Sequence, residues 1–197
     1  MLCGECVGRV GSYAKSCFVC RNINNNGSTC DGCVALTSLS GLVIAADYEG
    51  AVREALLALK NKRARSVATQ LGDLAVSALG DGGFDLVTWV PISPSRHRER
   101  GYNQAELIGR QVARRLGLPA VGTLGRTGSL HQTGAGRAAR LAQVSGAFYS
   151  TRRLGGQRVL LVDDVVTTGA TVDECARVLL AAGASEVWVV AVARSQA

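Results

Sequence analysis

The sequence predicts an α/β fold, a mainly parallel sheet with helices on both faces, joined to a small N-terminal cysteine module. Three observations predict it. From about residue 40, short runs of branched apolar residues alternate with segments of helical period. Strands that alternate with helices imply right-handed βαβ crossovers, which enclose a parallel sheet between two helical layers. Six of the seven cysteines fall within the first 33 residues, where core-forming side chains are few. At 197 residues the chain is long enough for one such domain and an appendage. The expected division is a cysteine-rich module over 1–36 and an α/β domain over 40–197.

The elements follow in order. "GLVIAADYEG" (41–50) reads as a strand running into a turn. "AVREALLALKNK" (51–62) places Val52, Ala55, Leu56 and Leu59 on one helical face. "ARSVATQLGDLAVSAL" (64–79) continues as a second helix, closed by the breaker "GDGG" at 80–83. "FDLVTWVP" (84–91) is a strand stopped by Pro91, and "NQAELIGRQVARRLGL" (103–118) is an amphipathic helix. "PAVGTL" (119–124) reads as a short strand, followed over 125–146 by a Gly/Arg-rich stretch with weak periodicity. "QRVLLVDD" (157–164) is the clearest buried strand. "ATVDECARVLLAAGA" (170–184) is a helix ended by Gly183, and "EVWVVAVA" (186–193) is the last strand. Trp89, Trp188 and Cys175 read as core.

Composition narrows the partners. The chain is 47% apolar with a net charge of +7, and its only lysines are Lys15, Lys60 and Lys62. Arginine binds phosphate through two donors at once, so an Arg-dominated excess favours phosphate-bearing partners. A GC-rich genome produces the same bias, so local clusters carry more meaning than the total. No segment approaches the roughly 20 apolar residues needed to span a bilayer. The start lacks a basic region followed by an apolar one. No membrane insertion and a cytoplasmic location are the expectation.

The cysteines form three pairs, "CGEC" (Cys3, Cys6), "CFVC" (Cys17, Cys20) and "CDGC" (Cys30, Cys33). In a secreted miniprotein they would suggest disulfides; in a cytosolic chain, repeated CxxC suggests thiolate ligation of structural Zn²⁺. Redox or unligated thiols are the alternative. Three pairs do not divide into four-ligand sites, so Cys3 and Cys6 lack partners or a further pair lies upstream of Met1.

The densest chemistry is "VLLVDDVVTTGAT" (159–171). Ligands of an open parallel sheet bind beyond the carboxyl ends of strands, where Asp163 and Asp164 stand. The turn after them offers backbone N–H groups and hydroxyls at a helix N-terminus, a ready anion site. Vicinal carboxylates suit ribose hydroxyls or hydrated Mg²⁺. Together these describe a ribose 5-phosphate site. Neither GxxxxGK[ST] nor GxGxxG occurs in the chain.

That string closely resembles the phosphoribosyl-pyrophosphate (PRPP) signature of type I phosphoribosyltransferases. The resemblance implies that fold, with Asp163 and Asp164 holding the ribose 2′- and 3′-hydroxyls as the catalytic carboxylates. Val166, Thr167, Thr168, Gly169, Ala170 and Thr171 would form the 5′-phosphate loop. "YEGAVREALLALK" (48–60), "VPISPSRHRERGYNQAELI" (90–108) and "HQTGAGRAARLAQVSGAF" (131–148) resemble successive blocks of the ComF family. That family couples a cysteine zinc module to a phosphoribosyltransferase domain and includes proteins of natural competence and DNA uptake. By this resemblance Ser93, Arg96, Arg98 and Arg100 belong to a pyrophosphate-receiving loop; a solvated basic loop is the plainer alternative. Gln132, Arg137 and Arg140 match a hood over the site, although Ala135, Gly136, Ala139, Leu141 and Gln143 depart from the family pattern. His131 reads as solvent-exposed decoration. Relatives often carry four CxxC pairs, and on that pattern Cys17, Cys20, Cys30 and Cys33 complete one metal site while Cys3 and Cys6 are half of another. The implied function is Mg²⁺-dependent phosphoribosyl transfer from PRPP to an acceptor the sequence does not reveal. The alternative is a non-catalytic sensor of PRPP or nucleotides, or a handler of single-stranded DNA or partner of the uptake machinery. Aromatic residues at 5% argue against an extended base-stacking platform.

Overall fold

The computed structural model describes residues 37–61, 65–80, 82–127 and 146–195, and in it the run Val159–Val162 becomes a fully buried stretch of strand. The elements are β1 (Gly41–Asp47), α1 (Gly50–Lys60), α2 (Val67–Leu79), β2 (Leu86–Trp89), α3 (Pro94–Arg100), α4 (Gln104–Leu116), β3 (Leu124–Arg126), β4 (Phe148–Ser150), β5 (Arg158–Val166), α5 (Ala170–Ala181) and β6 (Glu186–Arg194). Four strands form a parallel sheet in the order β1-β6-β5-β2. β5 is paired on both edges, so its backbone is satisfied by the ladder and its side chains are free to be wholly apolar.

Because side chains alternate across a strand, β5 feeds two cores. Leu160 and Val162 pack with Leu56 and Leu59 of α1, Leu71 of α2, and Ile108 and Val112 of α4. Val159 and Leu161 pack with Val172, Cys175, Ala176 and Leu179 of α5, and with Leu124 and Phe148. Helices therefore cover both faces, as the alternating pattern predicts. Trp89 and Cys175 are buried, and Trp188 packs partly buried against the first core.

Two local readings differ from the sequence expectation. Over 119–124 there is one parallel bridge, Val87 to Ala120, rather than a strand. Pro119 has no N–H to donate, and the Thr123 hydroxyl bonds that of Thr88 at 2.8 Å as the chain turns off the edge. Regular pairing resumes in β3, antiparallel to β4. The arginine-rich segment expected as a loop is the helix α3. Ser93 caps it by accepting from the Arg96 N–H at 3.3 Å, Pro94 begins it, and Gly101 ends it at φ +76°.

The cysteine module, with Cys3, Cys6, Cys17, Cys20, Cys30 and Cys33, lies outside the described residues, as do Gln132, Arg137 and Arg140. Immediately after the module, the Thr37 hydroxyl and the Ser38 N–H both donate to Asp173 Oδ1, at 2.7 and 2.6 Å. The chain thus enters the domain bonded to the first turns of α5. Among the described residues no helix is long and apolar enough to cross a membrane.

Leu160 is fully buried in the central strand. Leu160→Ala is expected to lower unfolding free energy by about 2–5 kcal/mol, read as a lower denaturant midpoint at unchanged slope.

Candidate functional site

The site forms where β5 runs out of the sheet. Asp163 lies on the α5 side of the strand and Asp164 on the side of α1, by the same alternation that splits the two cores. Each carboxylate accepts from the next backbone N–H, Asp163 from Asp164 at 2.9 Å and Asp164 from Val165 at 2.8 Å. Asp163 is 8% exposed. Its burial, and then the charge of Asp164, push its carboxyl well above the usual aspartate value of 3.8, while Lys60 acts in the opposite sense.

Beyond Val166 the chain turns through Gly169, whose φ of +81° suits glycine, into the N-terminus of α5. The first-turn N–H groups of a helix have no acceptor within it and carry its positive dipole end. Val166, Thr167, Thr168, Gly169, Ala170 and Thr171 line a recess of about 40 Å³ together with Asp163. All six residues expected for a phosphate loop are therefore brought together beside the carboxylate.

On the other side of the pair opens a polar cavity of about 280 Å³. Arg96 and Arg100 line it from one face of α3, a helical turn apart; Arg98 does not reach its lining, and Ser93 is the buried cap beneath. The cavity and the recess share Asp163, Val165 and Thr171.

Four further lining residues were not singled out by the sequence reading as site residues. Lys60, at the end of α1, sits 3.2 Å from Asp164 Oδ2. Asn103 caps α4, accepting from the Ala105 N–H at 3.0 Å while its amide donates to the Val90 carbonyl at 2.9 Å. Gln104 is 2% exposed and its Oε1 accepts from Arg100 at 3.0 Å. Arg126, on β3, stands 5.1 Å from the centre of the Phe148 ring. Lys60 reaches the pair because α1 ends at the mouth of the sheet; its sequence signals were its rarity as one of three lysines and its place at the end of the block 48–60. Asn103 and Gln104 carried a capping signal, and Arg126 carried none.

The end of α1 is fixed to the arginine helix from below. The Tyr102 hydroxyl, just past α3, donates to the Leu59 carbonyl, and the Arg65 guanidinium lies 4.4 Å from the Tyr102 ring centre. Lys60 and the Arg96/Arg100 face are thereby held on one frame.

The class of protein is set by comparison with known families. The phosphoribosyl transferase domain family matches residues 103–197, which include β5, the loop at 166–171 and α5. The chain is 33% identical over 159 residues to DNA utilization protein YhgH of Escherichia coli, covering 75% of this chain and 69% of that protein. It is 35% identical over 111 residues to Competence protein F of Haemophilus influenzae, covering 54% of this chain and 48% of that one. The match thus spans about half the length of the second relative. Among solved structures it is similar to the allosteric regulatory enzyme of purine biosynthesis, at 27% identity and a TM-score of 0.44, covering 64% of this chain and 25% of that one. The chain belongs to the ComF family of phosphoribosyltransferase-like proteins.

The raised carboxyl of Asp163 gives a pH signature. A carboxyl that binds its proton more tightly when folded stabilises the fold fully below about pH 3.8, and that contribution is lost as pH rises through its elevated folded value. Asp163→Asn, which carries no charge, is therefore expected to be more stable than the wild type at neutral pH. The difference shrinks toward acid, and thermal melts of the two proteins across pH 4–8 check it.

Proposed function

We propose that this protein binds Mg²⁺–PRPP at the carboxyl edge of the sheet and transfers its phosphoribosyl group to a nitrogen nucleophile. The observation that supports this best is the position of the Asp163–Asp164 pair between two anion-receiving surfaces. On one side is the amide and hydroxyl turn at 166–171, and on the other the cavity of Lys60, Arg96, Arg100 and Arg126. PRPP presents its groups in that order: a phosphate, a diol and a diphosphate.

Each residue type suits its role. The turn at the start of α5 would take the 5′-phosphate. The carboxylates would accept from the ribose hydroxyls. They are also hard oxygen donors beside a polar cavity, which fits a Mg²⁺ ion that keeps most of its water. Bound with PRPP, the ion would supply charge neutralisation on the diphosphate. As the C1′–O bond breaks, its electron pair leaves with pyrophosphate, and the cavity's cations offset that charge without reorganising. The acceptor nitrogen attacks C1′, so positioning and electrostatics suffice and no covalent residue is needed.

The names of the relatives, a DNA utilization protein and a competence protein, lead us to place this chemistry in the uptake or use of DNA. For the cysteine module we propose structural Zn²⁺ on Cys17, Cys20, Cys30 and Cys33. Metal analysis should return about one zinc per chain from these four thiolates, and Cys17→Ser with Cys20→Ser should abolish it.

Calorimetric titration with Mg²⁺–PRPP checks the principal site. Asp163→Asn combined with Asp164→Asn is expected to weaken binding by about tenfold or more; unchanged affinity would overturn the ribose assignment. Wild-type protein should release pyrophosphate from PRPP when ammonia, amines or nucleobases are offered. Binding without release from any of them would leave a sensor rather than a transferase.

A further inference from the structure

Two buried side-chain nitrogens among the described residues have no hydrogen-bond partner, Gln104 Nε2 and Arg126 Nε. Both residues line the same cavity, from opposite elements, one at the start of α4 and the other on β3. A buried donor left unpaired costs about 1–3 kcal/mol, so two of them on one cavity wall call for a common explanation.

The orientation of Gln104 is fixed by chemistry. A guanidinium only donates, so the Gln104 oxygen must be the atom facing Arg100, which leaves the amide nitrogen on the other side. Arg126 is half-buried against Phe148, and burial and then the neighbouring Arg96 make its charge less favourable. Like-charged guanidiniums kept close in a semi-enclosed space disfavour each other's charge. Both features are offset by a ligand that brings negative charge and several acceptor oxygens at once.

We infer that Arg126 and Gln104 are direct donors to the pyrophosphate group, which is held across the cavity between α3 and β3 rather than on the arginine helix alone. Arg96 and Arg100 supply the α3 side, and Arg98 is not part of the cradle. The inference rests on the PRPP reading for the identity of the anion. It adds two residues from outside the segment that the sequence assigned to pyrophosphate, one of them on the strand that leads into residues 128–145.

The test uses the full chain and three ligands measured by calorimetry, Mg²⁺–pyrophosphate, ribose 5-phosphate and Mg²⁺–PRPP, with thermal melts of each variant. Arg126→Met is expected to weaken pyrophosphate about tenfold or more. Ribose 5-phosphate should stay within about twofold, since the loop at 166–171 is untouched. The melting temperature of Arg126→Met should equal or exceed that of the wild type, because an unpaired donor and a like-charge contact are both removed. Arg126→Lys should fall between the two, keeping the charge and losing the fork. Gln104→Met should also weaken pyrophosphate and spare ribose 5-phosphate. Unchanged pyrophosphate affinity in Arg126→Met and Gln104→Met overturns the inference, as does a parallel loss of both ligands with a lower melting temperature. Failure of Arg126→Met to fold, with Arg126→Lys binding pyrophosphate as tightly as wild type, overturns it too. Wild-type protein that binds ribose 5-phosphate but not pyrophosphate sinks this inference alone; protein that binds neither, nor PRPP, sinks the PRPP reading beneath it.

Discussion

A carboxyl group enclosed at the mouth of the sheet, that of Asp163, is the constraint on which the rest of the site depends. It is there because β5 is paired on both edges and apolar on both faces, so the strand that carries it cannot move outward to solvent. Removing a carboxylate from water is costly, and the fold compensates only in part, with one N–H from Asp164 and the more distant charges of Lys60 and Arg126. A core strand selected for stability alone would end in another valine. The energetic disadvantage marks the position as kept for what the carboxyl touches.

The surrounding elements act as a frame for that group. Asp164, one residue on, emerges on the opposite face and is met by Lys60, whose helix end is tied through Leu59 to Tyr102 and so to α3. On the α5 side, Asp173 uses its backbone N–H to close the first helical turn on Gly169 and its carboxylate to receive Thr37 and Ser38. The turn at 166–171 is thus braced from behind by residues 37–38. Glu174, in the next position, holds the Gly146 N–H at 2.9 Å and pairs with Arg177. The segments that follow residues 1–36 and 128–145 therefore bond to adjacent residues of α5, Asp173 and Glu174.

Local sequence reveals what is local. The run from Val159 to Thr171 carries strand, carboxylates, turn and helix start in thirteen consecutive residues, so its chemistry could be read without any tertiary knowledge. The two-layer architecture was equally legible, because apolar alternation reports burial directly. The helix α3 was missed although its signals were present: Ser93 and Pro94 at its start and Gly101 after its end outweigh a composition that looked like a charged loop. Lys60 and Arg126 were not legible. Each shares the cavity with the carboxylate pair only because α1 and β3 end at the same edge as β5, and although Lys60 closes the block 48–60, neither local sequence records that meeting. The orphan nitrogen of Gln104 is likewise a property of packing, visible only once the partner of its oxygen is known.

The balance of charge around the cavity sets the kind of ligand it can accept. Lys60, Arg96, Arg100 and Arg126 share one polar cavity with Asp163 and Asp164, so the described lining holds more positive than negative charge. A neutral sugar would satisfy the carboxylates and leave the arginines repelling one another. A polyphosphate alone would satisfy the arginines and leave the carboxylates without hydroxyl partners. The two signs would be met together by a molecule that carries hydroxyl donors and clustered anionic oxygens on adjacent atoms, the pattern of the PRPP proposed above. Discrimination of this kind arises from the cost of leaving either half unpaired, which is larger than the gain from any one contact. A ligand of the proposed kind would also favour arginine over lysine on three of the four cationic positions, since a fork can bind two oxygens of one phosphate while staying charged in a partly buried setting.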